Sequence, residues 1–143
     1  MVIWPLTIPK LSRSTFTTGA AKALKVVIPA IEGKLDGLAY RVPTPTVSIV
    51  EVVCLTEVDT TPEKINDAMR EAAAEKMKGI LDVVDEHVVS MDMKGDEHSS
   101  IVHAPVTNVV AGNLVKVAAW YDNEWGYACR TADLCAMLAQ RGW

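Results

Sequence analysis

The chain has 143 residues, half of them hydrophobic, with 8 glycines and 7 prolines: enough apolar content for one full core, and too much for a disordered chain. A net charge of −4, a pI near 5.3 and the lack of any basic run exclude nucleic acid and anionic membrane as principal partners, because phosphate binding relies on clustered Lys and Arg. Three cysteines, Cys54, Cys129 and Cys135, are an odd count without ligand-like pairing to His. Neither a disulfide framework nor a metal site is expected, and a reducing cytoplasm is the expected setting.

The first ten residues, Met1 to Lys10, lack a basic leading region and contain Pro5 and Pro9, so they are read as neither a signal peptide nor a spanning helix. Residues 1–16 are expected to form an extended arm or the remnant of a truncation, ahead of a domain over residues 17–143. Thr18 is a good N-cap for a first helix that carries Ala20, Ala21, Leu24, Val27, Ile28 and Ile31 at helical spacing, with Gly33 as its stop. Leu38 to Val42 and Val47 to Glu57 read as Val- and Ile-rich strands around a Pro-Thr-Pro-Thr segment that cannot be helical. Thr60-Thr61-Pro62-Glu63 has capping-box spacing and opens a second helix, whose apolar face holds Ile65, Ala68, Met69, Ala72, Ala73 and Met77.

Val88 to Met93 alternates like a half-buried strand. Ile101 to Val110 and Leu114 to Tyr121 bracket Gly112-Asn113, a hairpin turn signal, and Glu124 to Gln140 is the last helix. Helices separated by runs of strands predict an α+β fold with a mostly antiparallel mixed sheet and helices on one face.

Few residues suggest chemistry by type and place. Thr18 and Gly19 begin a helix, where free backbone N–H groups and the positive dipole end favour an anion; on its own terms the pair is also an ordinary cap. Arg41 lies between Tyr40 and Val42 in an apolar stretch, where a guanidinium is either phosphate-binding or held in a structural ion pair. Asn123 stands where an apolar strand turns into a helix, a place that suits a ligand pocket or simply a turn-forming Asn beside Asp122. The cysteines are expected to be small buried hydrophobes rather than nucleophiles, because none follows a Ser at a helix start. His87 and His98 fall in polar loops and are expected to be solvated.

Three segments carry a resemblance: Thr17-Thr18-Gly19-Ala20-Ala21-Lys22-Ala23, Arg41-Val42-Pro43-Thr44-Pro45 and Trp120-Tyr121-Asp122-Asn123-Glu124-Trp125-Gly126-Tyr127. Their order and spacing closely resemble the catalytic domain of phosphorylating glyceraldehyde-3-phosphate dehydrogenase, from about Thr17 to Trp143. The resemblance implies the same α+β fold and a parent reaction that oxidises and phosphorylates a triose phosphate with NAD or NADP. It implies that Thr18 and Gly19 contact inorganic phosphate, that Arg41 contacts substrate phosphate, and that Asn123 meets the nicotinamide carboxamide in a pocket lined by Tyr121 and Tyr127.

Other parts of the family pattern do not occur in these residues. There is no Gly-x-Gly-x-x-Gly after a strand and no Ser-Cys-Thr-Thr-Asn-Cys nucleophile motif. His103-Ala104 looks like the context of the family's catalytic histidine but aligns with a different segment, so no catalytic residue is assigned. The chain therefore reads as a fragment or stand-alone homologue of that catalytic domain, inactive alone and without tight cofactor binding. Its expected partners are phosphate or a phosphorylated small molecule, and either a second copy or another chain covering the last helix. A non-catalytic oligomerisation or protein-interaction module is the alternative.

Overall fold

The computed structural model describes residues 16–17, 23–24, 26–32 and 34–143, and it divides into two units, Met1–Pro43 and Thr44–Trp143. In the first unit, β1 (Phe16–Thr17) pairs antiparallel with β2 (Leu38–Ala39). Residues 23–24 and 26–27 are helical, and a 3-10 turn follows over Pro29–Ile31. The expected helix cap at Thr18, its stop at Gly33 and residues 1–15 of the arm fall outside the described residues. The strand expected over Leu38 to Val42 is formed only at Leu38–Ala39, the two residues that pair with Thr17 and Phe16.

The second unit is α+β. Its sheet holds β3 (Ser48–Leu55), β4 (Leu81–Val84), β5 (Ser100–His103), β6 (Asn108–Val110) and β7 (Leu114–Tyr121) in the order β3-β7-β5-β4, with β6 also paired to β7. Only β4–β5 is parallel, so the sheet is mixed and mostly antiparallel. β3 and β7 run in unbroken register from Ser48↔Tyr121 to Leu55↔Leu114. The period of two then puts Val115, Val117 and Ala119 on one face, with Leu81, Val83 and Val102.

On that face lies α1 (Pro62–Ala74), whose Met69, Ala72 and Ala73 pack with Val83 and Val117 against Leu81, Val102 and Ala119. Thr61 is its N-cap, accepting from the Lys64 N–H at 3.4 Å, with Pro62 at the first helical position. The expected capping box is not formed: with Thr61 as the cap, the third helical residue is Lys64 instead of an acid. Buried Asn66 ties the helix to the sheet, donating to the Ala104 carbonyl at 3.1 Å and accepting from the Thr107 hydroxyl at 2.8 Å.

Two local readings are corrected. Ser90–Met93 is a 3-10 turn rather than a strand, because the Asp92 carboxylate accepts the Val89 N–H at 2.8 Å and closes the backbone locally. The run from Ile101 to Val110 breaks into β5 and β6 at a 3-10 turn over Ala104–Val106, where Pro105 interrupts the ladder. β4, not singled out in the sequence, has only four residues and follows α1 after a turn over residues 75–80. The β6–β7 hairpin forms with positive φ at Ala111 and Gly112, and a Cβ on Gly112 would meet Asp59 Oδ1 at 3.0 Å.

Candidate functional site at the strand-to-helix junction

β7 runs directly into α2 (Asn123–Gln140), and the pivot between them is Asp122. Its Oδ1 accepts from the N–H groups of Glu124 at 3.2 Å and Trp125 at 3.1 Å, satisfying two of the donors that a helix start leaves open. Its Oδ2 accepts from the Gly95 N–H at 3.0 Å, which fastens the 90s loop to the helix start. The Asp122 side chain is buried, and the Gly95 and Trp125 N–H groups hold its carboxyl below the ordinary value, with Glu124 N–H and the Lys94 charge adding to the effect. A helix start with a fixed anion at its positive end is electrostatically complete.

One turn on, Gly126 is buried against the loop, and a Cβ there would lie 3.3 Å from the His98 carbonyl oxygen. One turn further, Arg130 donates from one guanidinium nitrogen to the Gly79 carbonyl at 3.2 Å, the Glu97 carbonyl at 3.4 Å and the Ser99 hydroxyl at 3.1 Å. Its Nε bonds Asp133 at 2.7 Å. Asp122, Gly126 and Arg130 recur every four residues, so a single face of α2 is pinned. Asn123 and Tyr127 project from the exposed side, Tyr127 with 75% of its surface accessible. With Ser99, Tyr121, Asp122, Gly126 and Arg130 they line an open hollow of about 250 Å³.

The other candidates are placed differently. Thr18 and Gly19 lie outside the described residues. Arg41 is exposed and sits two residues past β2, not within a strand as expected. The expectation of buried thiols fails, since Cys54 and Cys135 are exposed and Cys129 is half-buried. His98 is not simply solvated: its Nδ1 lies 2.8 Å from Asp96 Oδ1. His87 is exposed, as expected.

His103 is buried in the sheet. Its Nδ1 accepts from Trp120 Nε1 at 3.2 Å, which leaves the neutral ring's proton on Nε2, a buried atom without a partner among the described residues. Among the described residues no group of three or more His, Cys, Asp or Glu could hold a metal, and no helix is long and apolar enough to cross a membrane.

Sequence reasoning singled out Asn123 and Tyr127 but missed what positions them. The four-residue repeat of Asp122, Gly126 and Arg130 was the available signal, hidden because it mixes an acid, a glycine and a base instead of forming an apolar stripe. The same Asp122 also borders a second hollow of about 460 Å³ lined by Thr46, Lys94, Gly95, Glu124 and Trp125.

The family of the glyceraldehyde 3-phosphate dehydrogenase C-terminal domain matches residues 6–123. The chain is 50% identical over 125 residues to glyceraldehyde-3-phosphate dehydrogenase A, chloroplastic, of Chlamydomonas reinhardtii, covering 87% of this chain and 33% of that protein. It is 50% identical over 125 residues to glyceraldehyde-3-phosphate dehydrogenase 2 of Bacillus subtilis, covering 87% and 37%. With the glyceraldehyde-3-phosphate dehydrogenase of Geobacillus stearothermophilus it shares 48% identity over 126 residues, covering 88% and 38%. The chain thus spans about a third of the length of these relatives. A mixed five-stranded sheet backed by α1, a pinned α2 and the match over most of its length together place the chain in the glyceraldehyde-3-phosphate dehydrogenase family, in its C-terminal catalytic domain.

Proposed function

We propose that this chain supplies the catalytic-domain part of an NAD(P)-dependent site for oxidation of a triose phosphate and does not turn over by itself. The observation that carries the reading is the Asp122-anchored helix start, which holds the exposed Asn123 amide and the Tyr127 ring at one rim of a hollow. A planar carboxamide fits there, because Asn123 offers both a donor and an acceptor and Tyr121 and Tyr127 offer apolar ring surface. Asn123 and Tyr127 would hold the nicotinamide end of NAD or NADP, which supplies the hydride acceptor. Thr18, Gly19 and Arg41 would bind phosphate or the substrate's phosphate group. A reducing compartment such as the cytoplasm belongs to the same proposal; the Chlamydomonas relative is named as chloroplastic.

Covalent aldehyde oxidation needs an activated thiolate beside a base, and none of the three cysteines is so placed. The pure chain mixed with aldehyde, phosphate and NAD is therefore expected to give flat absorbance at the reduced-cofactor wavelength. Co-expression with the remaining portion of the Bacillus subtilis relative is expected to give a rate that Asn123→Ala lowers. A steady rate from the chain alone would overturn the proposal.

A second reading, an assembly module, is favoured by the outer half of α2, where Leu134, Met137 and Leu138 are 49%, 42% and 39% exposed. A partner chain covering that helix should be released by Leu134→Lys, as read by the mass of the complex in solution.

A further inference from the structure

The loop that leads into β2 carries chemistry of its own, independent of the dehydrogenase reading. Asp36-Gly37 is the one Asp-Gly pair in the sequence, and no Asn-Gly pair occurs. Both residues are exposed, and β2 begins at the next position, Leu38. The Gly37 N–H donates to Asp36 Oδ1 at 2.8 Å, so the carboxyl is folded forward onto the peptide that follows it. A nitrogen this close to a carboxyl oxygen is also within near-attack reach of the carboxyl carbon bonded to that oxygen. Glycine favours the attack, because no Cβ screens its nitrogen and its backbone turns freely enough to close a five-membered ring.

We infer that Asp36-Gly37 is a self-modifying site, at which aspartate converts to isoaspartate without an enzyme. In the first step the Gly37 nitrogen bonds to Cγ of the protonated Asp36 carboxyl. The C–OH bond breaks, and the hydroxyl leaves as water together with the Gly37 amide proton. The product is a succinimide. Water then adds to one of its two carbonyl carbons, and the bond from that carbon to the ring nitrogen breaks, the nitrogen taking up a proton. Addition at Cγ restores aspartate. Addition at the former main-chain carbonyl leaves the chain running through Cγ, with the Asp36 α-carboxylate free. The two steps lose and regain one water and need no oxidant, yet the main chain is one carbon longer between Asp36 and Gly37. That carbon enters directly ahead of β2, whose ladder with β1 consists of two residue pairs among the described residues, Phe16↔Ala39 and Thr17↔Leu38. An added backbone atom there shifts β2 along its partner, and so short a ladder has little to oppose the shift.

The test is to hold the full 143-residue chain at mildly acidic pH and digest it with trypsin, which releases the peptide Leu35–Arg41. A second peak of identical mass is expected to accumulate, preceded by a species one water lighter, with electron-transfer fragmentation placing isoaspartate at position 36. An isoaspartyl carboxyl methyltransferase, used as a reagent with labelled S-adenosylmethionine, should esterify the new α-carboxylate. Because the loop holds the attacking nitrogen against the carboxyl, the folded chain should isomerise at least as fast as the free synthetic peptide Leu35–Arg41, which needs no folded variant to compare. Gly37→Ala should slow the reaction by about tenfold or more, and Asp36→Glu, which would need a larger ring, should abolish it. Aged chain should exchange the amides of Leu38 and Ala39 faster than fresh chain. No isoaspartate at position 36, equal accumulation at the other aspartates, or a rate in the folded chain about tenfold below that of the peptide overturns the proposal. Isoaspartate at 36 with unchanged exchange at Leu38 and Ala39 overturns the effect on β2. None of these readouts involves the dehydrogenase assay.

Discussion

Asp122 does three jobs with two oxygens: it caps α2, fixes the 90s loop and thereby sets where Asn123 stands. Asp122→Ala removes the acceptor from all three N–H groups and is expected to lower stability by about 1–2 kcal/mol. Asp122→Asn keeps a capping oxygen and should lose less. The pH dependence has a definite sign. A carboxyl held below its ordinary value of 3.8 in the folded chain contributes stability that is present above that pH and is lost as pH falls through the folded value. An acid titration of the unfolding free energy should therefore steepen below the ordinary carboxylate range, and Asp122→Asn should flatten that limb.

Asn66 is the second residue with a disproportionate role, because it satisfies the Ala104 carbonyl and the Thr107 hydroxyl together. Asn66→Ala leaves those groups short of a buried partner and should cost about 1–3 kcal/mol in denaturant unfolding. Truncating an exposed neighbour such as Asp67 should stay within about 0.5 kcal/mol.

Among the elements, α2 depends most on a few contacts. Only Gly126 of its eighteen residues is buried, so the pins at Asp122 and Arg130 outweigh apolar packing in holding it to the sheet end. Arg130→Ala removes the guanidinium nitrogen that donates to two carbonyls and a hydroxyl, and should loosen the helix from the 79–99 segment, seen as faster amide exchange in its first turns. Arg130→Lys should restore it only in part, since an ammonium cannot reach the 79–99 segment from one nitrogen while a second holds Asp133. Gly126→Val adds bulk where a single Cβ already stands 3.3 Å from a backbone oxygen, and should cost about 1–3 kcal/mol in spite of better helix propensity than glycine.

At the scale of the whole molecule, many large apolar side chains are exposed among the described residues. Among the described residues the buried apolar set is Val47, Leu81, Ile101, Val102, Ala104, Val115, Ala118 and Ala119, with Ile101 the large side chain buried to within 2%. The core sits under α1, while β3 and the outer half of α2 remain open. Unfolding of the 44–143 unit is expected to be a single cooperative transition, because β3, β7, β5 and β4 form one continuous ladder. Circular dichroism and tryptophan fluorescence should give coincident midpoints, and separated midpoints would refute it. The native chain should also bind a hydrophobic dye at its exposed apolar surface.

The sequence by itself determined the periodic elements: β3 and β7 from β-branched runs, α1 from Thr61-Pro62 and its apolar stripe, and α2 as the stretch from Glu124 to Gln140. Those signals are local, carried by spacing and caps, and the motif segments carried the family with them. Tertiary structure alone decided what the isolated residues do. His103, set aside as a catalytic candidate from its sequence position, is a buried partner of Trp120, because β5 and β7 are neighbours only in the folded sheet. Asp122 joins Gly95, and Arg130 joins Gly79 and Glu97, across separations that no period encodes. Leu134, Met137 and Leu138, the apolar positions of the last helix, are exposed in the fold. A hydrophobic pattern states which face of a helix seeks cover, while only the arrangement of elements decides whether this chain provides it.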